Sequence, residues 1–416
     1  MEAFGFGPGT RIVEPREPGL NDGIVRPPAV VGEGFGFAEA LAAAAAKAPL
    51  RGKLNVAVVL VEFSDKKMTN TKADFETLFF SKGKVPTGSV AEYFAEASHG
   101  LVSISGKVVG PYKLPRTKKH YADNSFGKSQ KIKTMAHDAL VKANPDLKFS
   151  DYDNDKDGYV DAFVVVHAGR GAEQTQDRND IWSHKWVLPK TKKADGVNIY
   201  AYLTIPEDAR LGVTAHELGH LLFGWPDLYD IDSSSRGVGN YCLMGGGSWL
   251  GGGDTPCHPS AWCKSTQGWA NVINVAQNQA ATLQDIKAGH NALRLWTEGQ
   301  SGKEYFLAET RFRSGFDRHL PAEGLFLWHI DESVGDNSNE HHLKVALVQA
   351  DGTRDLETRR NDGDPNDAFP GGLGIAACDH QTTPNTKGYS GAVSKVALSG
   401  LAVQGKVVGF NIKVRA

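Results

Sequence analysis

The sequence predicts an α/β (α+β) N-terminal part followed by a β-rich C-terminal part. Three observations lead there. Two short β-branched runs, Leu54–Phe63 and Asp161–His167, read as buried strands. Stretches with helical spacing of apolar residues, at 89–99, 129–143 and 208–224, interleave with them. From about 275 onward only short strand-like runs remain, near 292–296, 305–309, 324–330, 343–349 and 405–414, separated by polar turns.

The individual elements follow from local signals. An Ala-rich helix is expected over 38–47. Gly100 stands where a C-cap glycine belongs after the 89–99 helix, and Pro145 ends the 129–143 helix. Residues 101–109 alternate like a strand. The first 35 residues carry five prolines and many glycines with little periodicity, so an irregular segment is expected. The domain plan is 1–50 irregular, 51–272 the α/β domain and 273–416 the β-rich domain. A chain of 416 residues with 40% hydrophobic content can bury cores of that size.

Charge excludes several functions. With 46 basic and 48 acidic residues there is no basic excess for nucleic acid. No apolar run approaches the roughly 18 residues of a transmembrane helix. The N-terminus lacks a basic region followed by an apolar stretch, so no signal peptide is expected in this chain. Cys242, Cys257, Cys263 and Cys378 are too few for a disulfide scaffold. They leave open either one local bridge or four reduced thiols.

The strongest chemical signal is His216-Glu-Leu-Gly-His220. Histidines at i and i+4 lie one turn apart on one helix face, where two imidazoles can share a Zn²⁺. Glu217 is then placed as general base toward a metal-activated water. Gly224 lets the chain leave the helix sharply, and Asp227 can return as third ligand. Asp230, Asp254 and His258 are the other candidates. Met244, in a glycine-rich turn, is assigned a supporting role as an apolar floor.

A second signal is the loop Asp153-Asn-Asp-Lys-Asp-Gly-Tyr-Val-Asp161. Asp153, Asp155, Asp157 and Asp161 fall at positions 1, 3, 5 and 9 of an EF-hand-like loop with Gly158 at 6, which suits Ca²⁺. Position 12 is Val164, so the motif is incomplete. Asn361–Asp367 is another acidic turn, open between calcium binding and a solvated loop. His167 and Glu173 flank a turn that could line a cleft. His184, His329, Asp331, His341 and His342 read mainly as structural. Tyr229 and Tyr241 are both candidate oxyanion donors.

These pieces resemble, in order, the immune inhibitor A family of bacterial zinc metalloproteases, which is metzincin-like. The resemblance rests on Val58–Asp65, Ser89–Gly100, Val108–Tyr112, the 151–161 loop, Val166–Glu173, Ile181–His184, the histidine helix, Ser260–Lys264 with Gly268-Trp269, Leu320–Leu325, His329–Asp331 and Gln349–Gly352. It implies a secreted zinc endopeptidase acting on proteins or peptides, often made with a prosegment and often calcium-stabilised. The implied architecture is a zincin-type domain, with a twisted mixed sheet and a zinc helix, before a sandwich-like β domain. One feature departs from the pattern: three residues, Leu221, Leu222 and Phe223, separate His220 from Gly224 where the family has two. One more helical residue or a π-type bulge would absorb the difference. The alternatives are a zinc hydrolase of a non-protein substrate and a catalytically silent binding protein. Within the N-terminal segment, Asp22 is the foremost candidate for reaching the metal and restraining activity, with Glu14 and Glu17 beside it. Oligomeric state and cleavage specificity are not encoded legibly.

Overall fold

The computed structural model describes residues 17–27, 44 and 46–416. Most of the expected 38–47 helix, and the segment residues outside 17–27, lie beyond the described residues. Two compact units divide at Pro226/Asp227.

The first unit is built on a five-stranded sheet in the order β2-β1-β3-β5-β4. Its strands are β1 (Gly52–Glu62), β2 (Val102–Lys113), β3 (Phe163–His167), β4 (His184–Ala194) and β5 (Val197–Pro206). β1 pairs in parallel with β2 and β3, β3 with β5, and only β4 runs antiparallel. Parallel strands are covered on both faces, which accounts for the unbroken Val56–Val61 run. Ala57, Val59 and Val61 point one way into a core shared with Ile132, Met135, Ala136, Ala139 and Leu140. Val56, Val58 and Leu60 on the other face are equally buried.

Helices α1 (Lys72–Phe80), α2 (Val90–Ala97) and α3 (Gln130–Ala143) surround the sheet. Ser89 and Glu92 form a capping box that starts α2, and Ser129 accepts from Lys131 N–H to start α3. Helix α4 (Leu211–Phe223) follows β5 and is buried along all 13 residues. It meets α2 where the Phe94 and Phe223 rings pack at 54°, 5.2 Å between centroids.

Sequence reading missed α1 and the β4–β5 hairpin. β4 carries Lys190, Lys192 and Lys193 and breaks alternation, which fits its place at the sheet edge. Charged side chains there discourage pairing with other chains.

The second unit contains two sheets. One has the order β11-β10-β9-β8-β6, the other β12-β13-β14-β7. The strands are β6 (Asn271–Val275), β7 (Gln279–Gln284), β8 (Asn291–Leu295), β9 (Glu304–Arg311), β10 (Gly324–Asp331), β11 (Val345–Leu347), β12 (Ala377–Cys378), β13 (Ala397–Gln404) and β14 (Val407–Lys413). One apolar core takes Leu295, Phe306, Leu325 and Leu327 from the first sheet and Leu398, Val408, Phe410 and Ile412 from the second. Both sheets are mainly antiparallel, with β6–β8 parallel. Among the described residues no helix is long and apolar enough to cross a membrane.

Within the second unit a buried polar network ties the glycine-rich 240–264 stretch to β9. The fully buried Arg311 guanidinium donates to the Tyr241 and His258 carbonyls and pairs with Asp317. Glu309 accepts from Ala261 N–H at 3.0 Å and from the Trp328 indole at 2.8 Å. Lys287 reaches Asp317 at 3.0 Å. Removing one partner of such a pair leaves an uncompensated buried charge, at a cost of about 3–5 kcal/mol. An Asp317→Ala variant should therefore lose that much stability in denaturant unfolding. An Arg311→Met/Asp317→Leu double variant should lose less than the single one. A larger loss in the double variant would show that the network is worth more than its desolvation.

Candidate metal centre

Helix α4 carries both histidines of the sequence motif. His216 and His220 are one turn apart, 7% and 0% exposed, with ring planes at 87°. Their Nε2 atoms converge to 3.1 Å. Two imidazoles on one tetrahedral ion, with bonds of about 2.0–2.1 Å, would hold these atoms about 3.3 Å apart. The pair is therefore already spaced for a shared metal.

The second ring nitrogen explains the orientation. His220 Nδ1–H donates to the Trp225 carbonyl at 2.5 Å, which leaves the Nε2 lone pair facing inward. That carbonyl is in position because the chain reverses at Gly224, which takes a left-handed conformation with φ 66° and ψ 20°. Gly224 N–H still bonds to His220 at 3.1 Å, while Trp225 N–H reaches back to Gly219 at 3.3 Å. The extra residue before Gly224 is thus absorbed as one more α-helical residue, with a widened last bond.

Three residues after Gly224, Asp227 brings a carboxylate oxygen to the histidines. The three ligand atoms lie within 4.8 Å of one another, and all three residues are buried. Glu217, next along the helix, is 3% exposed. Two of the other third-ligand candidates, Asp230 and His258, are engaged elsewhere. Asp230 accepts from Asp232 N–H, Ser234 Oγ–H and Ser235 N–H within its own turn. His258 Nδ1 faces Lys264 Nζ at 2.9 Å. Met244 is fully buried, and its carbonyl accepts from Leu228 N–H at 2.8 Å, next to Asp227. Its visible role is thus made by the backbone, a signal the sequence does not carry.

Other expectations resolve as follows. Tyr241 cannot serve as oxyanion donor, because its buried hydroxyl donates to Asp367 at 2.7 Å and lies 2.9 Å from the Asp364 carbonyl. Asp22 is committed away from any metal: Oδ1 accepts from Lys185 Nζ at 2.9 Å and Ile24 N–H, and Oδ2 from Gly19 N–H. Glu173 accepts from Ser183 Oγ–H at 2.6 Å. His329 pairs with Glu304 at 2.9 Å, and His342 with Asp331 at 2.8 Å. All four cysteines are free thiols; Cys242 and Cys263 sulfurs approach only to 4.0 Å.

The 153–161 loop brings Asp153, Asp155 and Asp161 together. Lys47 stands among these carboxylates, with Nζ 2.8 Å from Asp161, 3.0 Å from Asp155 and 3.6 Å from Asp157. Arg26 adds a pair to Asp157 at 3.2 Å. Burial opposes the Lys47 charge, yet the Asp161 and neighbouring carboxylates hold its pKa above the ordinary lysine value.

A helix offering two imidazoles one turn apart, an intervening glutamate and a following carboxylate has the donor set of a metallopeptidase centre. The chain belongs to the immune inhibitor A peptidase family. Residues 45–272 match the family described as "Immune inhibitor A peptidase M6, catalytic domain". Pre-pro-metalloprotease PrtV of Vibrio cholerae serotype O1 is 26% identical over 318 residues, 66% of this chain and 34% of that protein. Immune inhibitor A of Bacillus thuringiensis subsp. alesti is 32% identical over 286 residues, 54% of this chain and 42% of that protein. The matched regions thus span between a third and a half of these relatives.

Two core histidines set an acid limit on the fold. Burial pushes His184 down to about 3 and His167 down to about 4. His184 Nδ1–H donates to the Trp182 carbonyl, and Nε2 lies 3.2 Å from the Tyr202 hydroxyl. In the unfolded chain each has a pKa of about 6.5. Between those values the unfolded state binds protons that the native state refuses, so stability falls as pH drops below about 6.5. At about 1.4 kcal/mol per pH unit, His184 alone removes on the order of 3 kcal/mol by pH 4. Denaturant unfolding of metal-free protein between pH 7 and 4 should show this decline, with a slope about one proton smaller in His184→Gln. An unchanged slope would mean that His184 titrates normally.

Proposed function

We propose that the chain is a zinc-dependent endopeptidase, with a zincin-type α/β domain carrying the site and a sandwich-like β domain after it. The observation that carries this reading is the convergence of the His216 and His220 Nε2 atoms, with Asp227 in reach and Glu217 beside them. Family membership supports the reaction class.

His216, His220 and Asp227 would hold the Zn²⁺. When bound it supplies Lewis acidity, lowering the pKa of water and polarising a carbonyl. The chain supplies the rest. Glu217 takes a proton from the attacking water as general base and delivers it to the departing amine as general acid. The Trp225 carbonyl keeps His220 in one tautomer and orientation. Burial of α4 excludes bulk water from the helix and strengthens electrostatic interactions along it. Protein or peptide substrates and an extracellular setting accord with this reading. A non-protein hydrolase would share the chemistry and differ in failing to cleave a casein-type substrate. Ca²⁺ at Asp153, Asp155, Asp157 and Asp161 is proposed as a structural ion that has to displace Lys47. Asp153 Oδ1, buried and without a hydrogen-bond partner, supports it.

We further propose that residues 17–27 restrain the site as part of an N-terminal prosegment. Lys185 Nζ donates to the Gly19 and Ile24 carbonyls as well as to Asp22, and Asn21 N–H bonds to the Lys185 carbonyl at 3.0 Å. A Cβ on Gly23 would stand 3.0 Å from the Gly224 carbonyl oxygen, so the segment passes the turn that orients His220.

Two predictions test these readings. Glu217→Gln should keep zinc at wild-type stoichiometry and lose about 10²–10⁴-fold in turnover. Asp227→Ala should lower zinc occupancy by metal analysis. Wild-type turnover in the first variant would sink the mechanism, and full occupancy in the second would move the third ligand elsewhere. For the segment, Asp22→Ala should raise initial rates at equal zinc occupancy, and a chain starting near residue 36 should be faster still. Equal rates in all three, each well folded, would leave the segment a structural strap.

A further inference from the structure

Lys185 lies near the start of the edge strand β4 and is fully buried, an uncommon place for a lysine. Its Nζ donates to the Gly19 carbonyl at 3.1 Å, to Asp22 Oδ1 at 2.9 Å and to the Ile24 carbonyl at 2.6 Å. An ammonium has three hydrogens, so these oxygens fill its donor capacity. Among the described residues, every oxygen bonded to Nζ belongs to residues 19–24, and the ion-pair partner is Asp22. Burial pulls the Lys185 pKa below the ordinary lysine value, against the attraction of Asp22. The cation is thus satisfied wholly by the segment that is read above as a restraint.

The segment follows a defined path over β4. A Cβ on Gly19 would meet Val187 Cγ1 at 2.6 Å, so residue 19 lies against residue 187. Asn21 N–H bonds to the Lys185 carbonyl at 3.0 Å, and Lys185 N–H donates to Asn21 Oδ1 at 3.1 Å. Gly23 then reaches the Gly224 turn, which orients His220. The chain therefore runs antiparallel to β4 and arrives beside the histidine helix. Trp186, next after Lys185, lies under the Lys133 ammonium of α3 at 4.1 Å, so Lys185 projects from the opposite face of the strand. Any extended chain taking this path meets a main-chain donor and acceptor at Lys185 together with its ammonium.

Resting on the reading of residues 17–27 as a restraint on a peptidase site, we propose that Lys185 determines substrate specificity. Once the segment moves aside, its ammonium takes the carboxylate of an aspartate or glutamate in the substrate. Departure of the segment removes one carboxylate and two carbonyls from Nζ at once. A lysine left in a sparsely solvated place regains most from a ligand that presents the same set. A peptide paired with the Lys185 main chain supplies carbonyls there, and an acidic side chain supplies the charge. A basic side chain at that position meets a like charge, and an amide leaves the ammonium without a counter-charge. Lys185 stays protonated throughout and takes no part in bond cleavage.

The test uses the full zinc-loaded chain and its Asp22→Ala variant, with fluorogenic peptides that differ only by Asp or Asn at one position. The two side chains have nearly the same shape, so the ratio of kcat/KM reads the charge. At one position that ratio should favour Asp by about tenfold or more, the discrimination given by one charge-assisted hydrogen bond. In the Asp22→Ala background, Lys185→Met should bring the ratio close to one, Lys185→Arg should keep it, and Lys185→Glu should turn the preference toward lysine. Amine acetylation followed by mass spectrometry reads the same place without turnover. Lys185 should be labelled in Glu217→Gln/Asp22→Ala and protected in Glu217→Gln, and the Asp peptide should restore protection at about tenfold lower concentration than the Asn peptide. Equal Asp and Asn rates at every position, with cleavage intact, would overturn the assignment, as would an acid preference that survives in Lys185→Met. Cleavage of no peptide, or equal rates with and without the Asp22 carboxylate, would instead remove the reading beneath it, and the assignment with that reading.

Discussion

The candidate centre depends on how α4 ends. Gly224 adopts a left-handed conformation that costs other residues roughly 1–2 kcal/mol, and the chain turns back on the helix there. That reversal puts the Trp225 carbonyl on His220 Nδ1 and brings Asp227 to the imidazole pair. Without it the two histidines would still share a face, but neither the tautomer of His220 nor the third donor would be fixed. A helix-terminating glycine, ordinarily a matter of capping, here sets the chemistry of a site.

A second theme is how buried charge is met. Each unit contains carboxylates that folding removes from water, and they find counter-charge in different ways. Asp317 is matched by Arg311 and Lys287 within the buried network. Asp161 is matched by Lys47, and Asp22 by Lys185. Residues 17–27 join the first unit through the Asp22–Lys185 pair, backbone hydrogen bonds and Leu20 in its core, and Lys47 through ionic contacts. Among the described residues, no side-chain cation pairs with Asp351, Asp364 or Asp367.

The sequence and the structure divide the information along physical lines. Periodicity made β1, β3, α2, α3 and α4 legible, because each buries a regular apolar stripe or an unbroken β-branched run. The His216–His220 spacing was legible for the same reason: helical geometry alone stacks i and i+4. The β4–β5 hairpin was not, because an edge strand rich in lysine carries no apolar alternation. Nor was α1, whose apolar residues do not form a clean stripe.

What the sequence by itself determined was local: which segments are helix or strand, which donors are spaced for a metal, and which loop is acidic. What only the tertiary structure decided was pairing between distant residues. It assigned Asp22 to Lys185, 163 positions away, rather than to the metal. It put the Tyr241 hydroxyl on Asp367, 126 positions away, removing it from the pool of oxyanion donors. It also inserted Lys47 into a loop whose spacing alone suggests calcium. Helical and turn geometry is fixed by neighbours along the chain, whereas the partner of a buried charge is fixed by whatever the fold brings beside it.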